Sequence, residues 1–189
     1  MDYKIVDQSA EEPIDLDIVK EHLKVEFDDE DTLITSLIAA SRELCEAKTW
    51  RSLKTQKYEM SLGHFHDTIR IPKPPLVSID LISYKTKDGT ETIIDPSQYI
   101  AGLDSEPGVL KAVDQWPKFD PYPVQPIKIQ FTAGYDKDSL PKSIQQAQLL
   151  LIGHFYANRQ AVYLGTTSAP LTMAVDALLS PFKVRSVYP

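Results

Sequence analysis

The chain has 189 residues, 42% of them hydrophobic and 25% charged, enough for one core of ordinary size with a lobe inserted in it. A formal net charge of −7 argues against a general grip on nucleic acid, whose affinity comes from Lys and Arg set against phosphates, and leaves open a local basic patch, since net charge does not fix its distribution. A single cysteine, Cys45, excludes an internal disulfide and a multi-cysteine zinc cage.

Residues 1–13 are polar and read as an extended arm or frayed end. Met1 to Ile5 lacks a basic segment followed by an apolar run, so no signal peptide is expected. A short helix fits Asp15 to Lys24, with Asp15 as N-cap and Leu16, Val19 and Leu23 on one face. The acidic run Asp28–Asp31 stands where a helix N-terminus favours carboxylates. Beyond it Ile34, Leu37, Ile38, Ser41, Leu44 and Cys45 recur at helical spacing, predicting an amphipathic helix to Thr49.

After Arg51 the pattern becomes strand-like. Tyr58, Met60 and Leu62 alternate, Thr68–Ile71 is closed by Pro72, and Leu81 and its neighbours place apolar groups on both faces of the next strand. Asp88-Gly89 supplies a hairpin turn. Strands over 91–94, 99–103, 109–113 and 127–133 complete a small, mainly antiparallel sheet.

A second long helix is expected from Ser139-Leu140-Pro141 to about Ala161, with Pro141 in its first turn, where a missing N–H does no harm. Ile144, Ala147, Leu151 and Phe155 form one stripe, and Leu149, Ile152 and Tyr156 form another. A helix apolar on two sides must be covered on two sides, by this chain or by another subunit. A small-residue loop covers 165–170, a short helix fits 173–179, and Phe182 onward reads as an extended tail. The fold class is α+β. A helical bundle from the N- and C-terminal helices (14–50 and 139–180) carries an inserted β-rich lobe (54–134) and a tail (181–189), in a single domain over 1–189.

The residues offer little chemistry. His64-Phe65-His66 with Asp67 lacks a third and fourth ligand placed by spacing, so an exposed turn is the better reading than a metal site. Asp28–Asp31 lacks the spaced oxygens and central glycine of a calcium loop. Cys45 sits on the apolar side of its helix as a small hydrophobe, and His22 and His154 lie on helices without a partner four residues away. No phosphate loop or nucleophile elbow is present, and the apolar-rich stretch Leu149–Ile152 is too short to cross a bilayer. No catalytic, cofactor or metal residue is assigned.

Several segments together resemble the head–tail connector (head-completion adaptor) proteins of tailed phages, in their longer β-containing branch. Leu16 to Val25, Asp28–Asp31 and Leu33 to Arg42 are similar to that family's N-terminal signature. A Thr-Gly-Arg-like step is Thr49-Trp50-Arg51 here, departing at the glycine. Leu140 to Ala147, Leu149 to Ile152, His154 to Tyr156 and Asn158-Arg159 supply the second anchor, and Pro72 to Tyr84, Asp88-Gly89 and Val175 to Leu179 resemble the longer branch. The resemblance runs from about Ile14 to Val184. It implies a structural protein of phage or prophage, not an enzyme and without a cofactor. Such a protein forms a ring, dodecameric in the virion, beneath the portal, extends the DNA channel and docks the tail or a stopper protein. Its expected partners are further copies of itself, the portal, the tail-completion or stopper protein, and passing DNA held without sequence preference. Its expected place is the virion head–tail junction, after assembly in the bacterial cytoplasm, with no membrane contact. On this reading Leu149, Ile152 and Tyr156 contribute to subunit packing, with an intramolecular core as the alternative. Phe182, Val184, Val187 and Tyr188 contact the portal or a neighbour. A tail-side neck protein is the nearest rival function, and an enzyme with a scattered active site the remote one.

Overall fold

A computed structural model describes residues 2–158 and 169–184. Among the described residues the chain divides into two compact units: a helical one from 11–54, 135–158 and 169–183, and a β-rich one from 2–10 and 55–134 with Val184.

In the helical unit, α1 (Leu16–Leu23) and α2 (Asp31–Thr49) are joined by the acidic run, and α3 (Lys142–Ala157) and α4 (Ala169–Leu179) follow the β-rich segment. α1 ends at Lys24, which turns left-handed (φ 61°) so that Val25 N–H reaches the Lys20 carbonyl at 3.0 Å. α2 presents Ile34, Ile38, Ser41 and Cys45 inward at the spacing read from the sequence. α3 packs against all three other helices. That is why it is apolar on two sides: Ile144, Ala147 and Leu151 are buried, and so is Ile152 from the second stripe. Each isoleucine or leucine side chain removed from water in this way contributes about 2 kcal/mol, and the Ala147 methyl less.

α3 is shorter than its sequence pattern, because Leu140 is extended and Pro141 takes the N-cap position rather than the first turn. Conversely, the last helix starts at Ala169, ahead of the expected 173, with Pro170 in its first turn, where no N–H is needed.

The β-rich unit holds two antiparallel sheets rather than one. The larger has the order β1-β2-β8-β4-β5, from Asp2–Gln8, Gln56–Leu62, Ile127–Ala133, Leu76–Lys85 and Glu91–Ile93. The smaller is β3-β7-β6, from Ile69–Ile71, Gly108–Ala112 and Tyr99–Gly102. The N-terminal arm is therefore an edge strand: Tyr3 stands opposite Met60, and a bulge lies between Ile5 and Asp7.

Strict alternation on β2 and β8 buries Tyr58, Met60, Ile129 and Phe131 on one face, with the Tyr58 and Phe131 rings stacked at 5.3 Å. β4 is apolar on both faces because two bulges, at Leu76/Ser78 and Ile79/Leu81, reset its phase. The result buries Leu76 and Ile82 and leaves Val77 47% exposed. The Asp88-Gly89 hairpin forms as expected, with Thr86 N–H donating to the Thr90 carbonyl. Where β7 begins, a Cβ on Gly108 would meet Leu76 Cδ2 at 2.5 Å, so any side chain there forces the buried Leu76 to shift.

Candidate functional site

The helical unit is closed by charged side chains far apart in sequence. Arg42 is buried and donates from Nε to Glu12 at 2.8 Å and from Nη1 to Glu46 at 2.8 Å. Burial works against its charge, and Glu46 and Glu12 more than offset this, so its pKa is raised. Glu12 also accepts from Lys54 Nζ at 3.0 Å, and Glu46 accepts the Leu53 N–H at 2.8 Å, which fixes the chain leaving α2. Arg51 Nε donates to the Phe182 carbonyl at 2.6 Å and Nη1 to the Tyr135 hydroxyl at 3.2 Å. Lys48 joins α2 to α4 through Asp176 at 3.0 Å. Between the buried residues Thr49 and Arg51, Trp50 is left-handed (φ 63°) and 54% exposed. A non-glycine residue there costs about 1 kcal/mol.

The acidic run is held by a lysine rather than poised for a metal. Lys20 Nζ lies 2.5 Å from Asp28 and 2.8 Å from Asp31, and Lys20 holds the Asp28 carboxyl below its ordinary range. Tyr156 donates to Glu30 at the head of α2. No group of three or more potential metal ligands occurs among the described residues. Cys45 is fully buried, and burial pushes its thiol up to about 12. His64 and His66 are both exposed, with ring centroids 4.2 Å apart.

Sequence reasoning missed an aromatic cluster that joins Trp116 and Phe119, from the β7–β8 connection, to Phe65 and Tyr84. Phe65 stacks on Trp116 at 4.7 Å, Phe119 meets Phe65 edge-on and lies 4.5 Å from Tyr84, and Trp116 Nε1 donates to the His66 carbonyl. Clefts of about 650 and 610 Å³ flank the 114–117 segment, both within the β-rich unit. The only signal was a proline-rich stretch carrying Trp116 and Phe119 in a long connection, and it gave no pairing partner.

The residues expected to meet other subunits separate by burial. Ile152 is fully buried in the helical core, so its side chain is taken up within the chain, because α3 runs between the other helices. Leu149 and Tyr156 are half-buried against that core. Phe182 belongs to a short 3-10 turn, Ser180–Phe182, instead of an extended tail, and it packs on the helical core. Val184 is half-buried. Val187, Tyr188, Arg159 and most of the 165–170 loop lie outside the described residues. No helix among the described residues is long and apolar enough to cross a membrane.

Residues 12–169 match the head completion protein family, a span that takes in both the buried charge network and the β-rich segment. The chain belongs to the head completion protein family. Its role is accordingly structural, at the connection of phage head and tail.

Solved structures share the fold of this head completion protein over its whole length. A chain from the neck of an empty gene transfer agent particle, resolved with C6 symmetry, has a TM-score of 0.82 at 20% identity, covering 100% of this chain and 98% of that one. A chain from the virion of the native gene transfer agent particle has the same values. One from the neck of the native particle, resolved with C12 symmetry, has a TM-score of 0.81 at 20% identity and the same coverage. No curated protein sequence matches the chain.

Proposed function

We propose that this head completion protein is a ring-forming subunit of the neck, seated beneath the portal. There it extends the DNA channel and offers a docking surface to the tail or to a stopper protein. The family match over 12–169 carries this reading. The likeness of the fold to a neck chain from a particle resolved with C12 symmetry supports a ring of twelve. The protein works at the head–tail junction of the virion, is made in the host cytoplasm, and acts by assembly rather than catalysis. Its acidity suits a conduit, since DNA passes without being held by counterion release.

Within that reading the subunit contact draws on Leu149 and Tyr156, which keep part of their surface outside the helical core. The segment around Phe182, Val184, Val187 and Tyr188 contacts the portal or a neighbouring subunit. The deciding experiment is mass measurement across concentration, with and without isolated portal, and electron microscopy of the large species. Closed rings, alone or templated on the portal, are the expected result. Binding only to an isolated tail tube would replace the reading with a tail-side neck protein. Deleting residues 185–189 should leave the monomer folded and weaken docking, and undiminished docking would remove Val187 and Tyr188 from the contact.

A further inference from the structure

β5 is a three-residue edge strand of the larger sheet, and its backbone has an open side. Ile94 N–H donates to the Ile82 carbonyl at 2.8 Å, and the register sets Thr92 opposite Tyr84 and Ile93 opposite Ser83. Antiparallel pairs alternate between hydrogen-bonded and non-bonded, so Thr92 and Ile94 face β4 while Ile93 turns its N–H and C=O away from it. No backbone hydrogen bond among the described residues occupies those two groups. The Ile93 side chain is 64% exposed.

The open edge borders the cleft of about 610 Å³, whose lining includes Tyr84, Ile93, Asp95, Val113, Asp114 and Trp116. Val113, like Ile93, is an apolar side chain left more than half exposed, at 53%. Among the described residues, the charged groups in the lining are the carboxylates Asp95 and Asp114, with no lysine or arginine. Asp95 is held below the usual carboxylate range by the Ser97 hydroxyl and backbone N–H, so it stays ionised. An open strand edge beside apolar pockets with negative charge fits one kind of occupant: an extended peptide that adds a strand, offers β-branched or aromatic side chains and carries positive charge. Residues 183–188 of this chain, Lys183-Val184-Arg185-Ser186-Val187-Tyr188, have that composition, with two cations, two valines, a tyrosine and no acid.

We propose that β5 and its acidic cleft receive segment 183–188 of a neighbouring copy as an added strand. The site rests on the ring reading above and names the partner surface for the tail segment. Ile93 supplies one donor and one acceptor to the incoming backbone, Val113 and Trp116 take its apolar side chains, and Asp95 and Asp114 face its cations. The shortness of β5 limits pairing to one segment and prevents open-ended sheet growth.

The test uses the full-length protein and a fluorescein-labelled peptide of residues 183–188, read by anisotropy at low salt. Saturable binding is expected, with a scrambled peptide of the same composition binding at least about tenfold more weakly. Ile93→Pro removes the outward donor while leaving the pairing with β4 intact, and should weaken binding by about tenfold or more. Asp114→Lys, at an exposed position, should weaken it by about tenfold, and a peptide with Arg185→Glu should recover part of that loss. Absent binding, equal binding of the scrambled peptide, or indifference to both variants would overturn the proposal. Closed rings seen alongside absent peptide binding would overturn this inference alone and leave the ring reading standing.

Discussion

The two units of this head completion protein hold themselves together by different means. Of the nine buried polar or charged residues among those described, seven lie in the helical unit, including Arg42, Arg51 and Lys54. The β-rich unit buries Gln56 and Ser83 in a core of Tyr58, Met60, Ile129, Phe131 and similar side chains. A regular sheet satisfies its backbone through its own ladder and leaves alternation to select the inner face. Four helices with irregular exits have chain ends to pin, and Glu12, Glu46 and Arg51 do the pinning. Buried charge is a poor source of net stability but a strong penalty on wrong arrangements, which suits a part that must present one shape to its neighbours.

The largest expected effect breaks the helical side of that contrast. Glu12→Gln leaves Arg42 with Glu46 and strands Lys54, and should destabilise the helical unit by about 3 kcal/mol. Each unit contains one of the two tryptophans, so denaturation followed through Trp50 (in Trp116→Phe) and through Trp116 (in Trp50→Phe) reads them separately. The Trp50 transition should move and the Trp116 transition should not; equal shifts in both would remove the contrast. On the β side, Gly108→Ala overpacks against Leu76 and should cost about 2 kcal/mol, seen first through Trp116. No measurable change would mean that the strand yields more easily than its packing implies.

Gln148 sharpens the comparison from the other direction. Its side-chain amide is buried in α3, and neither its oxygen nor its nitrogen has a hydrogen-bond partner among the described residues. Gln148→Leu should therefore stabilise the helical unit by about 1–2 kcal/mol in denaturant melts, and a loss of stability would show that the amide is used. The smallest effect concerns pH. Lys20 lowers the pKa of Asp28, Lys48 that of Asp176, and Lys4 followed by Gln130 that of Glu59. Depressed carboxylates contribute stability that is present above their unfolded values and lost as pH falls through the folded ones. Thermal stability should thus change little through these groups between pH 7 and 5, fall below about pH 4, and fall less in Asp176→Asn. A loss centred near pH 6 would contradict this.

Much of the architecture was legible because it rests on local periodicity. The α2 stripe from Ile34 to Cys45, the alternation on β2 and β8, and the Asp88-Gly89 turn each follow from spacing within a few residues. The N-terminal arm was illegible as a strand because Tyr3 pairs with Met60, a relation no local pattern carries. β4 was ambiguous for a physical reason: its bulges move apolar residues between faces, so no single phase describes it. The second stripe of α3 could not be assigned from the helix alone, since only the positions of the other helices show that Ile152 is enclosed. Likewise the Phe65–Trp116 stack joins residues far apart in sequence.

The most direct test of the account images particles assembled with and without this chain. Without it, heads should fill but lack the ring below the portal and fail to join tails. Adding the purified protein should restore a ring visible by electron microscopy and, with it, tail attachment. Normal attachment of tails to heads that lack the chain would contradict its role in the neck.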